Sequence, residues 1–172
     1  MIKNIRVGNI LSPENDSDII IGMNLQFKDV LGIGKPFVDR IVRTRDLRLG
    51  SVISFEHDDE RELHMLVCHR IGKGGWKDAE QFVRYGMDYL WQKRQDRKYS
   101  IVNIGTGRVG KRDGADHALI RSAITSSFLP VDLYILNEKE RIPAEATASV
   151  VPLRPFRIWD TERGEVSIRL AA

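Results

Sequence analysis

The residues most able to do chemistry are three glycines with basic neighbours, in Ile101-Val-Asn-Ile-Gly-Thr-Gly-Arg-Val-Gly-Lys-Arg-Asp-Gly114. Gly105, Gly107 and Gly110 lie between an apolar run and a stretch of helical periodicity. Glycine lets a backbone approach a ligand closely and turn through positive φ. Successive N–H groups in such a loop can form an anion-binding nest, which Arg108 and Lys111 would reinforce. Each charge-assisted N–H contact contributes ~1.5–3 kcal/mol. Two or three therefore supply much of a micromolar affinity, ~8 kcal/mol. The chemistry indicated is recognition of a phosphate.

Two nucleotide motifs can be tested against this loop. Gly105, four residues, Gly110 and Lys111 match a Walker A pattern, but Arg112 stands where Ser or Thr must hold magnesium. Gly105, Gly107 and Gly110 also satisfy Gly-x-Gly-x-x-Gly. The acidic residue that reads a dinucleotide ribose about twenty positions on has no counterpart, because Asp113 and Asp116 come too early.

Other reactive types are less promising. If Leu63 to His69 is a strand, His64 and Cys68 share a face about 13 Å apart, too far for one zinc. His69 then points to the other face. The expectation is a core cysteine with peripheral histidines and no metal site. His117 reads as a surface helix residue near the glycine loop. Trp76, after Gly74 and Gly75, reads as a packing anchor or the cover of a pocket mouth. No Ser-His-Asp order suggests a hydrolase nucleophile.

The elements that position the glycines follow from patterning. Ile2 to Ile10 alternate as a strand does, and Ser12 to Ser17 form a loop. Asp18 to Met23, with Ile19, Ile20 and Ile21, reads as a strand buried on both faces. A loop with Gly32 and Gly34 precedes a helix opened by Pro36. Val52 to Phe55 and Leu63 to Cys68 are strands around a charged turn. A helix begins near Asp78, with Asp78 and Gln81 spaced as a capping box. Its apolar face is Ala79, Phe82, Val83, Gly86, Met87 and Leu90. Ser100 to Ile104 is a strand, a second helix opens at Asp113 or Asp116, and Val131 to Leu136 is a strand after Pro130. Beyond Glu140 the pattern weakens: Pro143, Pro152 and Pro155 argue against regular structure, and Val166 to Leu170 adds an edge strand. Strands alternating with helices predict a largely parallel sheet covered on both faces.

Composition sets the frame. The chain has 172 residues, 42% hydrophobic and 30% charged, which suits one globular domain. The single cysteine excludes an internal disulfide and points to a reducing, cytoplasmic compartment. No run approaches the ~20 apolar residues of a membrane span. A formal charge of +3 does not demand a nucleic-acid partner. The basic groups Arg40, Arg43, Arg45 and Arg48, and Lys93, Arg94, Arg97 and Lys98, read as solvated faces, with nucleic acid as the alternative.

The order of these pieces resembles a macro domain, the ADP-ribose-binding module, over about residues 2 to 137. Gly8-Asn9-Ile10 stands where that family commonly has Gly-Asp-Ile. Asp18-Ile-Ile-Ile-Gly-Met-Asn24 is similar to its strand ending in Val-Asn-Ala-Ala-Asn. Leu31-Gly-Ile-Gly34 leads into a helix, and Asn103-Ile-Gly-Thr-Gly-Arg-Val-Gly110 is similar to its second phosphate loop. The resemblance implies a three-layer α/β/α sandwich with a mixed, mostly parallel sheet over residues 1–140, and a C-terminal extension, 141–172, packed on or extending it. It implies Asn9 and Ile10 near the adenine, and Asn24 at the distal ribose, the catalytic candidate if there is turnover. Gly32, Ile33 and Gly34 would form the first phosphate loop. Gly105, Thr106, Gly107, Arg108, Val109 and Gly110 would form the second. The implied ligand is ADP-ribose, a related phosphorylated nucleotide or an ADP-ribosylated macromolecule, with no cofactor required. Asn9 replaces a carboxylate, so it accepts from the adenine amino group without charge assistance. Lys35 and Pro36 stand where hydrolytic members carry further glycines and an acidic residue, which favours binding over hydrolysis. The alternatives are an ADP-ribosyl or ADP-ribose-phosphate hydrolase on the same site, and a nucleic-acid-binding or assembly module.

Overall fold

A computed structural model describes residues 1–26, 47–136 and 156–168. Eight strands form one sheet: β1 (Ile2–Val7), β2 (Asp18–Asn24), β3 (Val52–Glu56), β4 (Glu62–His69), β5 (Tyr99–Val102), β6 (Val131–Ile135), β7 (Phe156–Asp160) and β8 (Gly164–Ile168). Their spatial order is β1-β6-β5-β2-β4-β3-β7-β8. The five strands from β1 to β4 in that order run parallel, and β3, β7 and β8 add antiparallel pairings. The described helices are α1 (Ala79–Lys93), α2 (Arg108–Asp113) and α3 (His117–Ser126). The sheet is thus mixed and mostly parallel, as the alternating pattern predicts.

Two apolar clusters lie on opposite faces of the sheet. On one, Ile20, Leu66, Cys68, Ile101 and Leu133 pack under Val83, Met87 and Leu90 of α1 and Ile120 and Ile124 of α3. On the other, Ile19, Ile21, Met23, Met65, Val67 and Ile53 pack with Ile10 and Ile158. Alternate residues of β2 and β4 serve both clusters, so these central strands are apolar almost throughout. Gly86 lets α1 lie close on the sheet: a Cβ there would fall 2.5 Å from Leu66 Cδ2.

Several local expectations need correction. The first strand stops at Val7, and the strand before the glycine loop stops at Val102. No capping box forms at α1. Asp78 takes a left-handed conformation, φ 61°, and makes no side-chain cap, while the Gln81 amide donates to the Tyr85 hydroxyl. Asp116, not Asp113, caps α3, its carboxylate accepting from Leu119 N at 3.0 Å. Asp113 instead ends α2, a short helix that starts inside the glycine segment. Regular structure also continues past Glu140. β7 and β8 form a hairpin on the β3 edge, and the edge strand spans Gly164–Ile168 rather than Val166 to Leu170. The helix expected from Pro36, the Pro143 and Pro152 segment, and Arg40, Arg43 and Arg45 lie outside the described residues.

The second basic group is not simply solvated. Lys93 pairs with Glu165, Arg97 with Asp18 and Lys98 with Asp16, and Arg94 lies 3.7 Å from Glu62. Its cations fasten the amino ends of the parallel strands to α1 and the β7–β8 hairpin.

Candidate functional site

The glycine segment leaves β5 at the carboxyl edge of the parallel strands, where ligands of open α/β sheets bind. Gly105 takes φ +88°, a conformation that favours glycine. Thr106 Oγ1 donates to the Asn103 carbonyl at 2.7 Å and closes the turn. Asn103 N bonds Tyr134 O at 3.1 Å, which holds the loop to β6. Gly110 returns so close that a Cβ would lie 2.2 Å from the Gly105 carbonyl oxygen. The loop therefore closes on itself through two glycines, for different reasons. Gly107 needs neither: its φ is −72°, and nothing lies within 4 Å of where its Cβ would be.

Beside this loop is a cavity of about 570 Å³. Its wall includes every residue from Val102 to Gly110, with Gly8 and Ile10 after β1, Gly22 and Asn24 of β2, Tyr134 of β6 and Leu136 just after it. Of the candidate site residues, Ile10, Asn24, Gly105, Thr106, Gly107, Arg108, Val109 and Gly110 all lie on this wall. Asn9 sits between two wall residues but turns its amide oxygen to Leu11 N, 2.9 Å away. Gly32, Ile33 and Gly34 lie outside the described residues. Arg108 and Arg112 supply the cationic side chains of the wall, whereas Lys111 is exposed and does not line it.

Sequence reasoning missed the β4 end of the cavity. His64 and His69 are buried, not peripheral. His69 lines the cavity and stacks on Trp76, with ring centroids 3.8 Å apart and planes at 10°. The turn after β4 makes this stack: Arg70 N bonds Gly75 O at 2.9 Å, and Gly75 N bonds Gly72 O at 3.0 Å. A Cβ on Gly75 would lie 2.0 Å from the Arg70 carbonyl oxygen. Asp113 ties this turn to α2, accepting from Gly72 N at 2.8 Å and from Arg112. Mainly through Arg112, its carboxyl is held down at about 2. Burial pushes the His69 imidazole down to about 4 against a smaller opposing effect of Asp113, so the ring is neutral at pH 7. The same burial pushes the Cys68 thiol up to about 12, which leaves it inert. The glycines at 72, 74 and 75 were the signal for a tight turn, and Trp76 after them both packs in the core and lines the cavity, in keeping with its two sequence readings. Exposed His117 stands on α3 as expected.

A second polar cluster lies at the opposite, amino end of the strands. Ligand atoms of Asp18, Glu62 and His64 lie within 4.8 Å of one another, all three residues buried. His64 Nδ1 is 2.7 Å from Ser54 Oγ. Asp18 already receives Arg97 Nε at 2.9 Å and Glu62 N at 2.8 Å, and Glu62 receives Arg157 at 2.8 Å. Burial works to raise the Asp18 carboxyl, but the His64 imidazole 3.9 Å away and hydrogen bonds from Arg97 and the Glu62 backbone outweigh it and hold it well below the usual range. With guanidinium groups already neutralising both carboxylates, an added dication would meet repulsion, and the cluster reads as a buried ion-pair network.

No known family profile and no curated relative matches the sequence. Solved structures do. The macrodomain of Mycobacterium tuberculosis DarG superposes with a TM-score of 0.54 at 12% identity, covering 78% of this chain and 97% of that one. Thermosipho africanus DarTG in complex with ADP-ribose gives 0.50 at 14% identity, over 85% of this chain and 45% of that one. The chain has the macrodomain fold. At these identities the likeness is one of fold, and this chain spans less than half of the DarTG chain. Alphavirus P23pro-zbd also aligns, with a TM-score of 0.50 at 15% identity over 83% of this chain and 23% of that chain. Among the described residues no helix is long and apolar enough to cross a membrane.

Proposed function

We propose that this macrodomain binds ADP-ribose, or a closely related phosphorylated nucleotide, free or attached to a macromolecule. The observation that carries the reading is the cavity of about 570 Å³ walled by the whole segment from Gly105 to Gly110 at the carboxyl ends of parallel strands. That volume lies within the ~300–1,000 Å³ range of small-molecule sites. The first-turn N–H groups that follow Gly107 lack intrahelical partners and suit phosphate oxygens. Arg108 adds charge without a metal ion, while the charge of Arg112 is balanced by Asp113. Tyr134 and Leu136 offer an apolar surface for the base, near Asn9 and Ile10. Asn24 orients the sugar beyond the diphosphate and is the catalytic candidate should the bound molecule be hydrolysed. Gly32, Ile33 and Gly34 complete the phosphate contacts in this reading. An ADP-ribose complex among proteins of the same fold agrees with it.

Calorimetric titration with ADP-ribose, beside ATP and a short RNA at two salt concentrations, tests the reading. Saturable micromolar binding of ADP-ribose is expected. Gly107→Glu should abolish it while the protein stays folded, because a side chain at Gly107 meets open space and brings negative charge to the phosphate loop. RNA binding that weakens steeply with salt and ignores Gly107→Glu would reject the reading in favour of a nucleic-acid surface.

A further inference from the structure

β1 is the last strand at one edge of the sheet, and five of its six residues are exposed. Among the described residues six large apolar side chains are exposed, and five of them lie along this edge: Met1, Ile5, Val7, Phe128 and Leu136. Phe128 lies near the amino end of β1, where Val131 N bonds Met1 O at 2.9 Å, and Leu136 near its carboxyl end, where Gly8 N bonds Ile135 O at 3.0 Å. Val7 is 70% exposed and Phe128 76%. Single exposed apolar residues are ordinary, but a gathering of them on one edge marks an interaction surface.

The edge is open in a defined way. Paired residues of parallel strands share a face, so Ile5 and Val7, level with Leu133 and Ile135, turn to the side of α1 and α3. Asn4 and Arg6, level with Asp132 and Tyr134, turn to the other side. The Gly8 N–H points to β6, so by alternation Ile5 and Val7 present their N–H and C=O groups outward. β1 slips by one residue against β6 at Lys3, as β4 slips against β2 at Cys68, so the regular edge runs from Asn4 to Val7.

Charge decides what can pair with this edge. Lysine and arginine on an edge strand keep other strands away. They repel where like charges come directly opposite one another. Two antiparallel copies of β1 centred on Arg6 would set the two guanidinium groups against each other. Centred on Asn4, they would set Ile5 against Lys3. Centred on Ile5, they set Ile5 against Ile5, Arg6 against Asn4 and Val7 against Lys3, and no like charges meet. The polar face is complementary in that register. Asp132 accepts from Asn4 Nδ2 at 2.8 Å and from Arg6 Nε at 2.7 Å. These bonds leave the Asn4 amide oxygen to accept and the Arg6 Nη atoms to donate, and the two-fold brings them opposite each other.

We propose that this edge pairs with a second copy of the chain, β1 against β1, antiparallel about a two-fold axis at Ile5, joining two sheets into one. The Ile5 residues of the two protomers exchange both N–H···O=C bonds. Ile5 and Val7 of both form an apolar seam on the α3 side, and each Arg6 donates to Asn4 across the axis. A self-complementary patch of this kind is what a two-fold interface requires.

The test is analytical ultracentrifugation of wild type, Ile5→Lys, Ile5→Cys and Val7→Cys, with the cysteine variants also oxidised and run on non-reducing gels. Both positions are exposed, so the protomer should fold in every variant. Wild type is expected to be a dimer at micromolar concentration. Ile5→Lys should raise the dissociation constant more than about a hundredfold, because the two-fold counts the loss twice. Ile5→Cys should cross-link, because a hydrogen-bonded antiparallel pair holds its Cα atoms about 5.5 Å apart, within reach of a disulfide. Val7→Cys should not, because the two positions lie about 13 Å apart along the strands. Native Cys68 is buried and does not compete. A monomeric wild type overturns the proposal and leaves a strand of another protein as the occupant of the edge. A dimer that Ile5→Lys leaves intact, or that cross-links through Val7→Cys and not Ile5→Cys, overturns this interface.

Discussion

Gly110→Ala adds one methyl group at a position of ordinary backbone conformation, so glycine flexibility is not at stake; space is. The new Cβ would lie 2.2 Å from the Gly105 carbonyl oxygen, 2.6 Å from its carbon and 3.0 Å from its Cα. An ordinary contact is about 3.5 Å, so one strand of the loop must move by about 1 Å. Gly105 cannot simply retreat, because a Cβ built on it would already lie 3.1 Å from Ile120 Cδ1 of α3 and 3.3 Å from Ala115 Cβ. Gly110 is held in turn by Ala115 N, 2.8 Å from its carbonyl oxygen. Overpacking of this kind costs about 1–3 kcal/mol of stability. The same displacement misaligns the N–H groups facing a phosphate. Losing one charge-assisted contact, about 1.5–3 kcal/mol, weakens binding roughly 10- to 150-fold. Urea denaturation and calorimetric titration with ADP-ribose measure the two effects, with Gly107→Ala as the control that should fold normally. Unchanged affinity and stability in Gly110→Ala would refute the claim that this glycine is required by close approach.

Two further substitutions test packing and proton linkage. Gly86→Ala raises intrinsic helix propensity by about 1 kcal/mol, yet it should lower stability, because the new Cβ falls 2.5 Å from buried Leu66; the midpoint of urea denaturation gives the sign. His69 stays neutral in the fold down to about pH 4, whereas an unfolded imidazole takes up its proton near pH 6.5. The unfolded chain therefore binds more protons between these values, and stability falls as pH drops through that window. The loss attributable to His69 is about 2 kcal/mol between pH 7 and pH 5. Denaturation of wild type and His69→Gln at both pH values measures the difference, and parallel losses in the two proteins would refute the assignment.

The site and the ion-pair network occupy opposite ends of the same strands. Asp18, Arg97, Glu62 and Arg157 join at the amino ends, while the carboxyl ends present glycine backbone, Asn24 and His69. The charges that secure β2 and β4 are thus kept a strand's length from the cavity, about 20 Å for six residues. An anionic ligand there meets Arg108 without competition from those carboxylates, while Arg112 is held by Asp113.

The sequence by itself determined what depends on neighbouring residues. The apolar run of β2 announced a strand buried on both faces, and that of β4 announced a strand without showing that its histidines would be buried. The spacing of Ala79, Val83, Gly86, Met87 and Leu90 announced the buried side of α1. The glycine segment announced a tight loop between a strand and a helix, because glycine is chosen for conformation and close approach over a few residues. Tertiary structure decided what depends on distant partners. Asp78 carries the residue type of a cap but adopts a left-handed conformation and caps nothing. The β7–β8 hairpin follows a proline-rich segment that locally argues against strands, and it exists by pairing with β3, about a hundred residues earlier. The unpaired Cys68 is invisible in β4 alone, because a bulge is defined only against the strand beside it. That one residue turns His69 from the back of the sheet to the cavity, so the polar end of the site was decided by the register between two strands.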